Sequence, residues 1–256
     1  MYSTKRRRIF IYPYGISVSA EGVRAGLDAL FIRREGSRYV NKPGDTVINW
    51  GCHGEPRVLH GCKVINSFNS VATASSKLKT FSALQAADVP TMEVTRDKAE
   101  ATSWLQKSKV VGRDLDRGSQ GRGIVVYSKG DKIDKNHLFY TKYFKKEREV
   151  RIHVVNGKVI FEQEKLRKNG TAEAGTLDKY IRSHDRGWCF AFKHLADNPI
   201  PQSCRDVALA AVKACGLDFG AVDIGWNKRS GAAVFEINTA PGIEETSLEA
   251  YIKAFQ

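Results

Sequence analysis

Leu217–Ile243, LDFGAVDIGWNKRSGAAVFEINTAPGI, decides how the rest of the chain is read. Two apolar, β-branched runs, Ala221 to Trp226 and Ala232 to Asn238, flank the polar stretch Asn227 to Gly231. That is the pattern of a β-hairpin. A loop over Lys228 to Gly231 pairs Asn227 with Ala232 and sets Asp223 opposite Glu236, and strand period brings Asn238 onto the face of Glu236. Two carboxylates about 5 Å apart repel by roughly 3 kcal/mol at an effective dielectric of about 20. A hairpin built only for stability would avoid them. One reading gives Asp223, Glu236 and Asn238 to a divalent cation as hard oxygen ligands, which suits Mg²⁺ shared with a nucleotide's phosphates. The other leaves them as a polar, solvated face. We take the first.

The 256-residue chain is 42% hydrophobic, enough for one domain or a few small lobes. Lys and Arg number 41 against 28 Asp and Glu, a net charge of +13 that favours an anionic partner: a nucleotide, an acidic protein or a nucleic acid. Cys52, Cys62, Cys189, Cys204 and Cys215 show no CxxC spacing, so neither a disulfide framework nor a zinc site is indicated, and a reducing, cytoplasmic compartment fits. KRRRIFIYPYGISVSA, from Lys5 to Ala20, mimics a secretory signal, but Pro13, Gly15 and the hydroxyl side chains break its apolar run. A first buried strand is expected there. No stretch is long and apolar enough for a membrane span.

Outward from the hairpin, Arg8 to Tyr14 reads as a strand and Ser19 to Phe31 as a helix burying Leu27, Leu30 and Phe31. Thr46 to Trp50 reads as another strand, and Asn69 to Ala86 as one helix. Lys77 and Lys79, two apart on that helix, do not share a face. Val110-Val111 and Gly123 to Tyr127 bracket the loop Gly118-Ser119-Gln120-Gly121-Arg122-Gly123. With no helix after it and no GxxxxGK[ST], the loop is neither a P-loop nor a Rossmann turn. Its glycines allow backbone N–H groups to approach phosphates as a lid; a plain hairpin loop is the competing reading.

Leu138 to Phe144, Val150 to Val155 and Lys158 to Leu166 read as strands. Glu149, Arg151 and His153 alternate with Val150, Ile152 and Val154, the pattern of a half-exposed sheet with His153 as a structural residue. Lys142, Lys145, Lys146, Arg148, Arg151, Lys165, Arg167 and Lys168 concentrate positive charge there. Thr171 to Trp188 reads as a long loop carrying Arg182 and His184, a candidate substrate loop. Arg205 to Cys215 and Glu249 to Phe255 are amphipathic helices.

The order of these motifs, over roughly residues 66 to 243, resembles the ATP-grasp superfamily, most closely its carboxylate–amine ligases of the type that add glutamate to a ribosomal protein. The specific part is Asp223 followed by Phe235-Glu236-Ile237-Asn238-Thr239-Ala240-Pro241-Gly242, which looks like the family's metal-binding Asp and its E-x-N-x-x-P-G. The resemblance implies an α+β fold of ATP-grasp architecture. A small N-terminal α/β lobe (1–68) would precede a central lobe with the glycine-rich lid (69–138) and a C-terminal lobe with the metal site (139–256), the last two sandwiching the nucleotide. It also implies phosphate contacts from Lys77, although Ser76 stands where an acid often precedes it. Arg113 stands where a second phosphate lysine is common, which keeps the charge and changes its geometry. Gly118, Ser119, Gln120, Gly121 and Gly123 match the lid. Lys142, Tyr143 and Phe144 fall at the hinge whose backbone meets adenine, with Lys142 in place of a common Glu, and Glu149 falls at the acidic position near ribose. Lys165 and Arg182 match late cations that hold phosphate or the reacting carboxylate.

The implied reaction is ATP-dependent formation of an amide or isopeptide bond through an acyl phosphate. Arg113, Lys165 and Arg182 would act at the transferring group, beside one or two Mg²⁺ ions with Mn²⁺ as a substitute. Asp223→Asn or Glu236→Gln is then expected to abolish turnover with the fold intact. An ATP-grasp kinase that leaves phosphate on its acceptor is the alternative. A basic nucleic-acid-binding module ranks last, because no RNA or DNA motif accompanies the charge. The partners implied are a carboxylate and an amine acceptor, with an acidic peptide or protein suited to a +13 chain. Nothing in the sequence selects an oligomeric state.

Overall fold

Ile9–Pro13 (β1) and Thr46–Trp50 (β3) pair in parallel, and all five residues of β3 are buried, as a strand covered on both faces requires. They are the centre of the first sheet in the computed structural model, which describes residues 8–118, 121–170 and 177–256. Between them Val18–Gly26 (α1) starts at Ser17, whose hydroxyl accepts the Ala20 N–H. The helix ends earlier than its pattern suggests. Asp28 adopts φ 51°, in the left-handed region, and Leu30–Phe31 becomes a short strand (β2) beside β1. Leu30 and Phe31, expected in the core, are instead exposed. Lys63–Ile65 (β4) completes the order β2-β1-β3-β4.

The single helix expected over Asn69 to Ala86 is two, Phe68–Ala74 (α2) and Lys77–Ala86 (α3). Ser76 is extended at φ −101°, ψ 119°, and its hydroxyl caps α3 by accepting the Lys79 N–H. The break makes Lys77 the first residue of a helix. Val94–Thr95 (β5), Lys98–Trp104 (α4), Val110–Arg113 (β6), Ile124–Tyr127 (β7) and Phe139–Lys142 (β8) follow, with strands ordered β5-β8-β6-β7. β6 and β7 form the hairpin that carries the glycine-rich loop. β8 pairs with β6, so this strand joins the second sheet, although 139–142 was expected to open the third lobe.

Arg148–Val155 (β9), Lys158–Arg167 (β10), Trp188–Ala191 (β11), Phe219–Asn227 (β12) and Gly231–Asn238 (β13) make an antiparallel sheet ordered β11-β10-β9-β12-β13. Gln202–Ala214 (α5) buries Ala208, Ala211 and Val212 against Val150, Ile152, Val154, Val222 and Ile224. Glu245–Phe255 (α6) returns to the first sheet, where Tyr251 joins Trp50 and Phe219 in one aromatic cluster. α6 lies close on α1: a Cβ built on Gly26 would stand 2.1 Å from Ile252 Cδ1, so a larger residue there would have to displace the Ile252 side chain. No helix among the described residues is long and apolar enough to cross a membrane.

Candidate active site

The hairpin that opens the sequence reading forms with a different register. Asn227 pairs with Gly231 and Trp226 with Ala232, so the turn is one residue shorter than expected. A bulge then restores the alignment, because Ile224 faces Val234 while Asp223 faces Glu236 and Phe235 is the extra residue. The bulged Phe235 lies over Gly225, where an added Cβ would come within 2.1 Å of its ring. Its ring also meets Phe144, with centroids 5.8 Å apart, and Lys146 Nζ, 5.2 Å from its centroid.

Asp223, Glu236 and Asn238 line one cleft of about 480 Å³ between the second and third sheets. β6 and β7 form one wall, the segment Lys142 to Phe144 the hinge, and β9, β10, β12 and β13 the other wall. Asp223 is 3% exposed, and Arg151, its partner in register on β9, grips it through Nε at 2.6 Å and Nη2 at 2.8 Å. Burial pushes the Asp223 carboxyl up, but Arg151 and Lys165 outweigh it and hold it below the usual carboxylate range. The repulsion expected between Asp223 and Glu236 is therefore answered by this chain's own cations. Arg151 answers it on Asp223, and Lys77 stands 3.8 Å from Glu236.

Glu149, only 5% exposed, receives Lys165 at 2.6 Å and Lys146 at 2.9 Å. Burial alone would raise its pKa; the two lysines bring it down. Lys165 is raised, since Asp223 and Glu149 together exceed its burial cost, whereas burial prevails at Lys146 and lowers it. The polar face of β9, expected to be half exposed, is thus buried charge. His153 is fully buried, between the Tyr251 hydroxyl at 3.2 Å and the Gln163 amide oxygen at 3.1 Å.

The opposite wall is unlike this one. Arg113, the last residue of β6, lies over the Phe139 ring at 6.0 Å, and its buried Nε has no hydrogen-bond partner among the described residues. Burial lowers its pKa, and only Glu236 counters. On the third-sheet side, Arg182 packs on Trp188 of β11 at 4.5 Å, and its Nε is likewise buried and unpartnered among the described residues. Lys77 Nζ donates to the Gly118 carbonyl at 2.9 Å, and Asp116 accepts the Leu78 N–H at 3.0 Å, so the lid loop is tied to the start of α3.

Gly118 and Gly121 line the cleft, whereas Gly123 does not; it packs against Leu115 and Asp114. Ser119 and Gln120 lie outside the described residues. Of the segment Lys142 to Phe144, whose backbone is expected to meet adenine, the Lys142 N–H donates to Glu93 O at 3.1 Å and the Tyr143 N–H to Lys109 O at 2.9 Å, so these two donors are engaged within the protein. The Lys142 ammonium also turns aside, bonded to Glu93 and lying over Trp104 at 5.0 Å. Beside the hinge, Met92, Val111, Val126, Phe144 and Phe235 give the cleft an apolar slot.

The sequence places Lys146 only in a basic cluster and Arg151 in that cluster and on the polar face of β9; Arg151 becomes specific once β9 pairs with β12, and Lys146 once it stands 2.9 Å from Glu149. The described residues contain no group of three His, Cys, Asp or Glu side chains able to hold a metal. The oxygen set Asp223, Glu236 and Asn238 lies outside that definition because one member is an amide. The buried Asn238 Nδ2 has no partner among the described residues, so no internal bond to that nitrogen fixes the amide.

No protein-family model and no curated protein sequence matches the chain. Solved structures do. The D-alanine–D-alanine ligase of Bacillus anthracis aligns with a TM-score of 0.64 at 16% identity, over 96% of this chain and 91% of that one. The ATP-grasp ligase PsnB, complexed with a minimal precursor, Mg and ADP, aligns at 0.66 and 13% identity, over 100% and 99%. The carboxyaminoimidazole ribonucleotide synthase of Aspergillus clavatus, complexed with ATP, aligns at 0.63 and 14%, over 91% and 70%. At such identity the likeness is one of architecture, and it agrees with the arrangement of sheets described above: this chain has the ATP-grasp fold.

Proposed function

We propose that the protein is an ATP-dependent carboxylate–amine ligase that releases ADP. One observation carries the reading: a facing carboxylate pair, Asp223 and Glu236, shares a cleft with a half-buried arginine, Arg113, whose buried Nε has no partner and which has no carboxylate within ion-pair distance among the described residues. A polyphosphate with its cation satisfies both sides at once. Structural neighbours that hold ATP, or ADP with Mg, support it.

Asp223, Glu236 and Asn238 would hold Mg²⁺, with Mn²⁺ as a substitute. Arg151 uses two of the roughly four lone-pair directions of the Asp223 carboxylate, which leaves room for a metal bond. The side chain of Glu236 is 34% exposed, and its nearest cation is Lys77 at 3.8 Å. Bound Mg²⁺ supplies Lewis acidity and neutralises phosphate oxygens. Arg113 and Lys77 meet the phosphates from the lid side, and Arg182 and Lys165 meet the transferring group from the other. Gly118 and Gly121 let lid backbone approach the phosphates. The apolar slot beside Tyr143 and Phe144 takes the base, with Lys142 set aside by Glu93. Glu149 acts as counter-charge to Lys146 and Lys165 in place of the expected ribose contact.

A substrate carboxylate oxygen attacks the γ-phosphorus and the bond to ADP breaks, giving an acyl phosphate. The amine nitrogen then attacks the acyl carbon, inorganic phosphate leaves with the bonding pair, and the nitrogen loses a proton to solvent. No protein nucleophile is needed; the chain positions and neutralises. The PsnB structures hold a precursor peptide, which makes a peptide a substrate to test here. The test is incubation with ATP-Mg²⁺, candidate amino acids and peptides, and hydroxylamine. ADP release with a hydroxamate product is expected. A stable phosphorylated acceptor would mean a kinase instead, and absence of any ATP turnover would sink the proposal.

A further inference from the structure

A second cavity, of about 490 Å³, opens beyond the carboxylate pair. Arg151, Lys165, His184, Phe190 and Gly242 line both it and the nucleotide cleft, so the two spaces meet where phosphoryl transfer would occur. Its walls are Phe161, Trp188, Phe190 and Phe192, with Phe161 and Phe192 edge to face at 5.1 Å. The half-buried end carries Arg151 and Lys165. Both are already matched, to Asp223 and Glu149, and both lie over Phe190, at 4.2 and 5.2 Å. The exposed end carries Glu244 and Glu245. Glu244 caps α6, while the Glu245 side chain has no hydrogen bond or ion pair among the described residues. An acidic group entering this cavity meets aromatic rings, cations whose charge is spent and two carboxylates. An amine on an apolar body meets rings along the cavity and the carboxylates Glu244 and Glu245 at its exposed end.

We propose that this cavity is the acceptor subsite and that it selects an amine bearing an aromatic or bulky apolar group, not an acidic amine. The assignment rests on the ligase reading. It turns the expectation from net charge around: a chain of +13 presents its unpaired carboxylate where the amine enters.

The test is calorimetric titration of the full chain, saturated with ADP-Mg²⁺, against L-phenylalaninamide and, separately, L-glutamate. Phenylalaninamide is expected to bind at least tenfold more tightly. Phe192→Ala should weaken it about tenfold and Glu245→Lys several-fold, with ADP affinity unchanged, because neither residue lines the nucleotide cleft. Glu245 is exposed, so its variant keeps the test alive if Phe192→Ala fails to fold. Glutamate binding as tightly, or phenylalaninamide binding untouched by both substitutions, overturns the proposal. Wild-type protein that binds phenylalaninamide but not ADP-Mg²⁺ would defeat the ligase reading, and the subsite assignment with it. ADP-Mg²⁺ binding without phenylalaninamide preference would defeat the subsite alone.

Discussion

The two walls of the cleft carry similar charge in opposite condition. On the third sheet three cations have a carboxylate: Arg151 with Asp223 at 2.6 Å, Lys165 with Glu149 at 2.6 Å, and Arg148 with Glu164 at 2.6 Å. On the second, Arg113 is half-buried with a buried, unpartnered Nε, and Lys77, at the start of α3, donates to a backbone carbonyl. A buried charge without a partner is costly unless something else satisfies it. The matched wall is therefore assembled before any ligand arrives, and the unmatched wall stores a cost that a polyanion relieves.

The sharpest way to break this contrast is Asp223→Asn. The sequence alone suggested a loss of turnover with the fold intact, but the substitution would leave buried Arg151 uncompensated, at a cost of about 3–5 kcal/mol. We expect turnover to fall on the order of 10³-fold and the urea midpoint to drop markedly; a midpoint equal to wild type would refute the matched wall. Glu236→Gln should separate the two effects. Its turnover loss is of similar order, on the order of 10²–10³-fold, while unfolding changes by less than about 1 kcal/mol, since the side chain is 34% exposed and its nearest cation is 3.8 Å away.

Arg113→Met probes the other wall. With no ligand it should be neutral or stabilising by about 1 kcal/mol, and the rise in melting temperature produced by ADP-Mg²⁺ should shrink. An apo protein destabilised by several kcal/mol would mean that Arg113 has an internal partner after all. The smallest effect is the pH dependence of His153. Burial lowers its pKa from 6.5 to about 4, so the stability gained by keeping it neutral is complete above pH 6.5 and lost as pH falls toward 4. The loss is at most about 3 kcal/mol. Asp223 and Glu149 are also lowered, so their contributions fade only below the ordinary carboxylate range, in a separate window. Unfolding followed from pH 7 to 4.5 should slope in wild type and flatten in His153→Asn.

The hairpin was legible because turn residues and β-branched runs are local signals, yet Asp223 met Glu236 for a reason the pattern does not contain. A shorter turn and a bulge at Phe235 cancelled each other. Periodicity alone read α2 and α3 as one helix, since the break depends on a single hydroxyl at Ser76. Arg151 was harder to see. Its partner is 72 residues away, and the alternation along β9 separates two faces without saying that both are covered. The motif order located the glycine-rich loop and Arg113, and of these Arg113, Gly118 and Gly121 line the cleft. The engaged N–H groups of Lys142 and Tyr143 were not, because they depend on β8 lying between β5 and β6.

Tyr251 on α6 packs on Trp50 of the first sheet and on Phe219 of β12. On a ribosome, the Trp50 face of the first sheet therefore emerges with only α1 to cover it and stays so until residues 219 to 255 have followed. Completion of that face waits on α6, and a chain stalled after α5 would present part of this aromatic surface to chaperones or to other nascent chains.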